Sequence, residues 1–281
     1  MVALVGVACA KLAGLEPVRY EEDGSDADTP DAEPFDAGTD ARLPSDGGGD
    51  ADADATVDAG LPGPVMVPAG PPGNVFGIDS TEVTFGQYRA FVAAVKGDAG
   101  AQPKICAANT ALGPEQVGTD EEPVAGVDWC DANAYCKWAG KRLCGRVVDG
   151  GNGGPLQIGE IGSPTVAQFT IACTSSGKQS FPYGVTEVLG NCNIADAGGG
   201  GGKRAPVATF PNCVGGYPGI HDMVGNIFEW IDLCFPQDGG PEMCILQGGA
   251  FTSPAGYDCT RAFSATIDFQ NNDLGFRCCS K

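Results

Sequence analysis

A disulfide-crosslinked globular domain of mixed helix and strand, with much irregular structure, is predicted for residues 61 to 281. Three observations point to it. Twelve of the thirteen cysteines lie in that stretch. Apolar residues recur there at helical spacing in three places, while strands show only as short apolar runs. The preceding forty residues, by contrast, cannot build a core: residues 21 to 60 hold fourteen acids, one base (Arg42) and one aromatic (Phe35). Too little apolar surface is available there to offset the entropy of ordering the chain.

In chain order, residues 1 to 20 read as an apolar leader. The run Val2 to Ala10 is too short to span a membrane, and Val7-Ala8-Cys9 loosely resembles the end of a bacterial lipoprotein signal, in which the cysteine is acylated. No basic segment precedes it and Gly6 stands where Leu is usual. Two readings follow: a start codon assigned too late, or a residual apolar stub. Lipidation of Cys9 followed by a self-repelling acidic tether would be a coherent surface-display design, and places the protein at a bacterial cell envelope. Residues 61 to 281 carry 21 acids and 13 bases, a net charge of −8. No cluster of Lys and Arg interleaved with aromatics appears, so nucleic-acid binding is excluded as a class.

Within the domain, Leu61 to Val75 is punctuated like a strand entering through turns. Thr84 and Gln87 form a capping box, followed by the stripe Tyr88, Phe91, Val92 and Val95, with Gly97 as the stop. The second helix is capped by Asp128, with Asp131 in its first turn, Ala132, Tyr135, Cys136 and Ala139 along one face, and Gly140 at its end. Lys137, Lys141 and Arg142 lie where the helix dipole favours cations. A third helix is predicted to start at Ser163-Pro164, with Val166, Phe169 and Cys173 inward. Short strands are expected at Cys244 to Gln247 and Gly275 to Cys279. The glycine runs at Gly150 to Gly154 and Gly198 to Gly202 are read as surface loops. The Walker phosphate-loop spacing fails there, because Ala197 holds the first position and Arg204 follows Lys203.

No cysteine pair has C-x-x-C spacing, and His221 is the one histidine. Zinc sites therefore lack ligands, and disulfides in an oxidising, exported setting are the remaining account.

Four segments resemble the sulfatase-modifying factor family, whose founding activity is formylglycine generation. They are Glu82-Val83-Thr84 with Gln87, Tyr88 and Phe91; Pro123-Val124, then Val127-Asp128-Trp129 and the run Ala134 to Leu143; Asp222 to Trp230; and Gly248 to Phe251 with Leu274 to Cys278. The resemblance implies a single compact α+β domain related to C-type lectins. It also implies the bridges Cys136–Cys278 and Cys173–Cys259. Proximity in sequence adds Cys192 with Cys213 and Cys234 with Cys244, leaving Cys106, Cys130, Cys144 and Cys279 unassigned. The chain departs from the family after Leu143, where Cys144-Gly145-Arg146 and a glycine loop replace an acidic helix.

Formylglycine-generating relatives hold copper(I) between two thiolates a few residues past the Gly-Gly strand. An ungapped alignment puts Ser253 and Asp258 at those positions; a gapped one makes Cys259 a structural half-cystine and deletes the pair. On either alignment copper is not expected. Cys279 is the one thiol that could join a rebuilt site, and the even count of twelve argues that it is paired. Iron oxygenase chemistry needs several histidines, and His221 is read as a packed loop residue. The family's Gly-Asn-x-x-Glu-Trp turn implies calcium at Asn226 and Glu229, with a further site near Asn193; the alternative is a turn whose side chains satisfy backbone amides. Two functions follow: a non-catalytic binding or structural module for a peptide or glycan, or an oxidase converting a sulfatase cysteine with a non-standard copper site.

Overall fold

The structure, a computed structural model, describes the backbone of residues 16–17 and residues 62–98, 100, 102–114, 116–147, 153–195 and 202–280. Cys9 and the tether at residues 21 to 60 lie outside the described residues.

Among the described residues, two sheets and three α-helices carry the fold. The first sheet has the order β1-β7-β6-β5-β8, from β1 (Glu16–Pro17), β5 (Phe228–Phe235), β6 (Met243–Gln247), β7 (Ala262–Thr266) and β8 (Leu274–Phe276). All its pairings are antiparallel except β5 with β8. The backbone at Glu16–Pro17, assigned above to the leader, thus extends this sheet at its edge. The second sheet, β2-β3-β9-β4, is antiparallel and joins β2 (Met66–Ala69), β3 (Phe76–Asp79), β4 (Arg142–Leu143) and β9 (Cys278–Cys279).

Helix α1 (Phe85–Val95) starts at the Thr84 capping box and buries Phe85, Tyr88 and Phe91. Lys96, just before Gly97, takes the left-handed conformation that ends it. Helix α2 (Trp129–Trp138) is capped by Asp128, whose side chain accepts the Asp131 N–H. Tyr88, Phe91 and Tyr135 pack ring against ring between the two helices, with Trp138 and Phe276 around them. Helix α3 is Gln168–Thr174, so the start expected at Ser163-Pro164 is corrected. Residues 163–167 instead form a turn closed by Ala167 N–H on Ser163 O, and Gln168 roots the helix by accepting from Arg142 and the Gly145 amide. Lys141 is likewise not a dipole partner at the surface: it is buried and paired with Asp79, 2.6 Å away.

The central sheet is buried on both faces. Along β5, Phe228 and Trp230 point into a core shared with α1 and α2, while Ile231 and Leu233 point into a second core shared with α3. The same alternation explains the bridges at β9. Adjacent strand residues face opposite sides, so Cys278 reaches Cys136 in α2 while Cys279 reaches Cys144 after β4. The other bridges are Cys106–Cys130, Cys173–Cys259, Cys192–Cys213 and Cys234–Cys244. The Cys136–Cys278, Cys173–Cys259, Cys192–Cys213 and Cys234–Cys244 pairs are those expected from resemblance and proximity.

Candidate functional site

The loop entering β5 is forced into an unusual shape. Asp222, Gly225 and Asn226 all have positive φ, at 58°, 84° and 61°. A side chain at Gly225 would sit 2.6 Å from the Asn193 carbonyl oxygen, so only glycine lets the two segments touch. Left-handed Asp and Asn cost backbone energy, and such strain gathers at ligand sites.

That contact brings two of the expected residues together. Asn226 Oδ1 accepts from Asn193 Nδ2 and from the Ala205 amide, both at 3.0 Å. Asn226 Nδ2 donates to Glu82 Oε1 at 3.0 Å and to the Ala205 carbonyl. Glu229 is drawn elsewhere: its Oε2 and Oε1 accept from Arg277 Nε and Nη2 at 2.7 and 2.8 Å. Arg277 also donates to the carbonyls of Asp79 and His221, and Asp79 accepts from Lys141 and from the Cys278 amide. Four carboxylates, Asp79, Glu82, Asp222 and Glu229, are thus buried around two cations.

Burial is the first cause of every acid shift here. It lifts Glu82 well above the usual carboxylate range, with the Asp222 charge adding to it. Asp222 and Asp79 are each raised to about 6, in Asp79 against the pull of Lys141. Glu229 is raised as well, with Arg277 opposing. Burial works against the charge of Arg277, but Glu229 and then Glu82 and Asp222 raise its pKa overall. His221 is lowered by burial and by Arg277; its backbone bonds Ser80 and Arg277, as befits a packed loop residue.

An oxygen-seeking cation would find two uncommitted buried acceptors in this cluster, Glu82 Oε2 and Asn193 Oδ1. It would not find Glu229, whose two oxygens are held by Arg277, and Asn226 Oδ1 already accepts two N–H groups. Of the residues expected for calcium, Asn226 and Glu229 are thus committed to N–H donors and to Arg277, while Asn193 keeps one oxygen without a donor. Among the described residues no group of three or more His, Cys, Asp or Glu could hold a metal.

The positions aligned with the copper pair serve the backbone. Ser253 is buried and its Oγ accepts the Ala250 amide at 2.9 Å. Asp258 Oδ1 accepts the Thr260 amide and hydroxyl, and the neighbouring Cys259 is bridged to Cys173. All twelve cysteines among the described residues are half-cystines.

Beside this loop lies a surface depression of about 200 Å³ formed by Phe251, Asn272, Lys203, Arg204, Gln116 and Glu122. Arg204 frames it, donating to the carbonyls of Asn272 and Val117 and lying 5.2 Å over the Phe85 ring. The roles of Glu82, Asp222, Arg204 and Arg277 were not assigned from sequence. The signal was there for Glu82 and Arg277, in the Glu-Val-Thr and Gly-Phe-Arg-Cys segments, but nothing in a charged residue announces burial.

Comparison with known proteins gives the family. The profile described as "Sulfatase-modifying factor enzyme 1-like domain" matches residues 69–281. The chain is 29% identical over 175 residues to the mouse "Inactive C-alpha-formylglycine-generating enzyme 2", covering 57% of this chain and 49% of that protein. It is also 29% identical over 186 residues to the mouse "Formylglycine-generating enzyme", covering 56% and 43%. The chain thus spans about half the length of the curated relatives it matches. Among solved structures, "Structure of PvdO from Pseudomonas aeruginosa" superposes with a TM-score of 0.52 at 19% identity, over 76% of this chain and 92% of that one.

Proposed function

Since the chain belongs to the family of sulfatase-modifying factor enzyme 1-like domains, we propose that it is a non-catalytic member, a binding module exported to an oxidising compartment. One observation carries this reading: every described cysteine is tied in a disulfide, while Ser253 and Asp258, at the positions aligned with the copper pair, hold turns together. A half-cystine has no thiolate to offer a soft ion. The mouse relative named inactive supports a member of this kind. In this reading the depression at Phe251, Arg204 and Asn272 receives a peptide or glycan. Its two cations, the acid Glu122 and the amides of Gln116 and Asn272 suit a polar ligand. Arg277, rather than a divalent ion, supplies the counter-charge of Glu229. Attachment to a membrane through Cys9 belongs to the same proposal.

The test is a thiol count with a turnover assay. Alkylation of the unreduced protein followed by peptide mass spectrometry is expected to leave all twelve domain cysteines unlabelled. A peptide carrying a sulfatase cysteine, incubated with the protein, copper(I) and oxygen, is expected to gain no aldehyde. Two neighbouring labelled cysteines together with aldehyde formation would establish the oxidase instead.

A further inference from the structure

We propose that the loop at residues 183–190 and the groove beside it form the contact face of a two-fold symmetric dimer of this chain. The loop shows its apolar side chains to water. Val185, Val188 and Leu189 are 70%, 51% and 55% exposed, and no other three exposed large apolar residues among the described ones share a loop. Its polar side chains are spent on the protein itself: Tyr183 Oη accepts the Val188 N–H and donates to the Val188 carbonyl, and Glu187 Oε1 accepts the Gly256 N–H at 2.8 Å. A single exposed aliphatic residue needs no account, but three within five positions of a pinned loop make a patch.

Tyr183 joins this patch to a groove of about 430 Å³, whose walls include Gln179, Pro182, Val214, Tyr217 and Pro218. Gly215 and Gly216 let those walls come together. A Cβ at Gly215 would lie 2.0 Å from Pro182 Cβ, and one at Gly216 would lie 1.4 Å from the Ala172 carbonyl oxygen. The Cys192–Cys213 bridge ties the end of the loop to the segment that forms the opposite wall. Convex patch and concave groove are thus held side by side before any partner arrives, which lowers the ordering cost of binding.

Three observations select a second copy as the occupant. The face is neutral: residues 178–190 and 211–219 hold one base, Lys178, and one acid, Glu187, in a domain of net charge −8. Two copies can meet there without the repulsion of their other surfaces, while a strongly charged partner finds little to pair with. The polar side chains of the groove are also committed. Tyr217 Oη shares a hydrogen bond with Ser176 Oγ at 2.7 Å, and Gln179 Nε2 donates to the Cys173 and Pro182 carbonyls. A glycan would meet ring faces but few free donors. Finally, a two-fold contact seats the loop of one copy in the groove of the other and repeats the fit in reverse. The two segments amount to about twenty positions, which is what one side of a standard interface uses.

The test is sedimentation velocity on the oxidised full chain between about 1 and about 100 μM. A reversible monomer–dimer equilibrium is expected, with slower hydrogen exchange at residues 184–190 and 214–217 as the concentration rises. Leu189→Asp is expected to weaken the dimer at least about tenfold, with near-ultraviolet circular dichroism unchanged. Ile105→Asp, exposed on the 3-10 turn Lys104–Cys106 and in neither segment, is expected to leave the dimer unchanged. Pro218→Lys, on the groove side, is expected to weaken it as Leu189→Asp does. An equal mixture of these two variants is expected to recover dimer, because one loop–groove contact is then native and the other sets opposite charges together. A chain that stays monomeric throughout overturns the proposal, and its co-sedimentation with phosphatidylcholine vesicles would give the patch to a lipid surface instead. A dimer unaffected by both Leu189→Asp and Pro218→Lys overturns it as well.

Discussion

Arg277 meets Glu229 edge-on, Nε 2.7 Å from Oε2 and Nη2 2.8 Å from Oε1, with both side chains 1% exposed. Strand β5 runs parallel to β8, with Glu229 level with Gly275, and Arg277 follows directly after β8 ends at Phe276. Removing one partner strands a charge in the core, whereas removing both does not. Arg277→Met is therefore expected to cost about 3–5 kcal/mol in urea unfolding. The double variant with Glu229→Leu is expected to recover part of that loss. An equal loss in both would show that the pair is not the source.

Stability is expected to fall as the pH rises from about 4 to about 7. Asp222 and Asp79 hold their protons to about 6, and Asp131 to about 7, against an unshifted 3.8, because burial penalises their charged forms. The folded protein binds more protons than the unfolded chain across that window, so the stabilisation is full below it and is lost as the pH climbs through the folded values. Asp222→Asn keeps a side chain that tolerates the left-handed backbone and removes one titration. Its slope of stability against pH, between about 4 and 6, should change by up to about 1.4 kcal/mol per pH unit. An unaltered slope would assign the protons elsewhere.

The crosslinks should differ in worth by the length of chain they close. Cys144–Cys279 spans 135 residues and Cys106–Cys130 spans 24. With Cys136–Cys278 intact, however, the further ring that Cys144–Cys279 closes runs only through residues 136–144 and 278–279, so chain entropy predicts that replacing this pair by serines costs about 0.8 kcal/mol less than replacing Cys106–Cys130. Guanidinium midpoints of the two double variants check this, and a greater loss from Cys144–Cys279 would contradict it.

Arg204→Ala is expected to destabilise by about 1–3 kcal/mol, since it removes two bonds to carbonyls and a cation from the face of Phe85. Lysine at this position should restore less than half of the loss, because it cannot fork to both Asn272 and Val117. A full rescue by Arg204→Lys, read by thermal unfolding, would reduce the role to charge alone.

The sequence spoke most clearly where the physics is local. Thr84 with Gln87 and Asp128 with Asp131 announce helix starts through bonds spanning three residues, and both caps form. Strand β5 left no such mark. A strand half in water alternates polar and apolar residues, but Phe228–Phe235 sits between two cores, and Glu229 interrupts the run because Arg277, in the link between β8 and β9, neutralises it. Lys141 misled for the same reason: a lysine at a helix end suits the dipole, and its burial depends on Asp79, 62 residues earlier. The bridge Cys144–Cys279 was beyond reach because the register of β9 decides which side Cys279 faces, and Cys106–Cys130 because it joins a three-residue 3-10 turn to α2 across a loop. At the candidate site Asn193, Asn226 and Glu229 were legible as residues, but their division between an amide cluster and an ion pair was not.

The adjacent half-cystines Cys278 and Cys279 also impose an order on how the molecule matures. A ribosome delivers Cys136 and Cys144 more than 130 residues before either one's mate. Throughout that interval both sulfurs are reduced and only eight positions apart, free to close on each other and trap a wrong ring. Correct closure therefore waits until residues 278 and 279 have been made, and a cell producing this protein needs a way to withhold oxidant, or to reshuffle early errors, until they arrive.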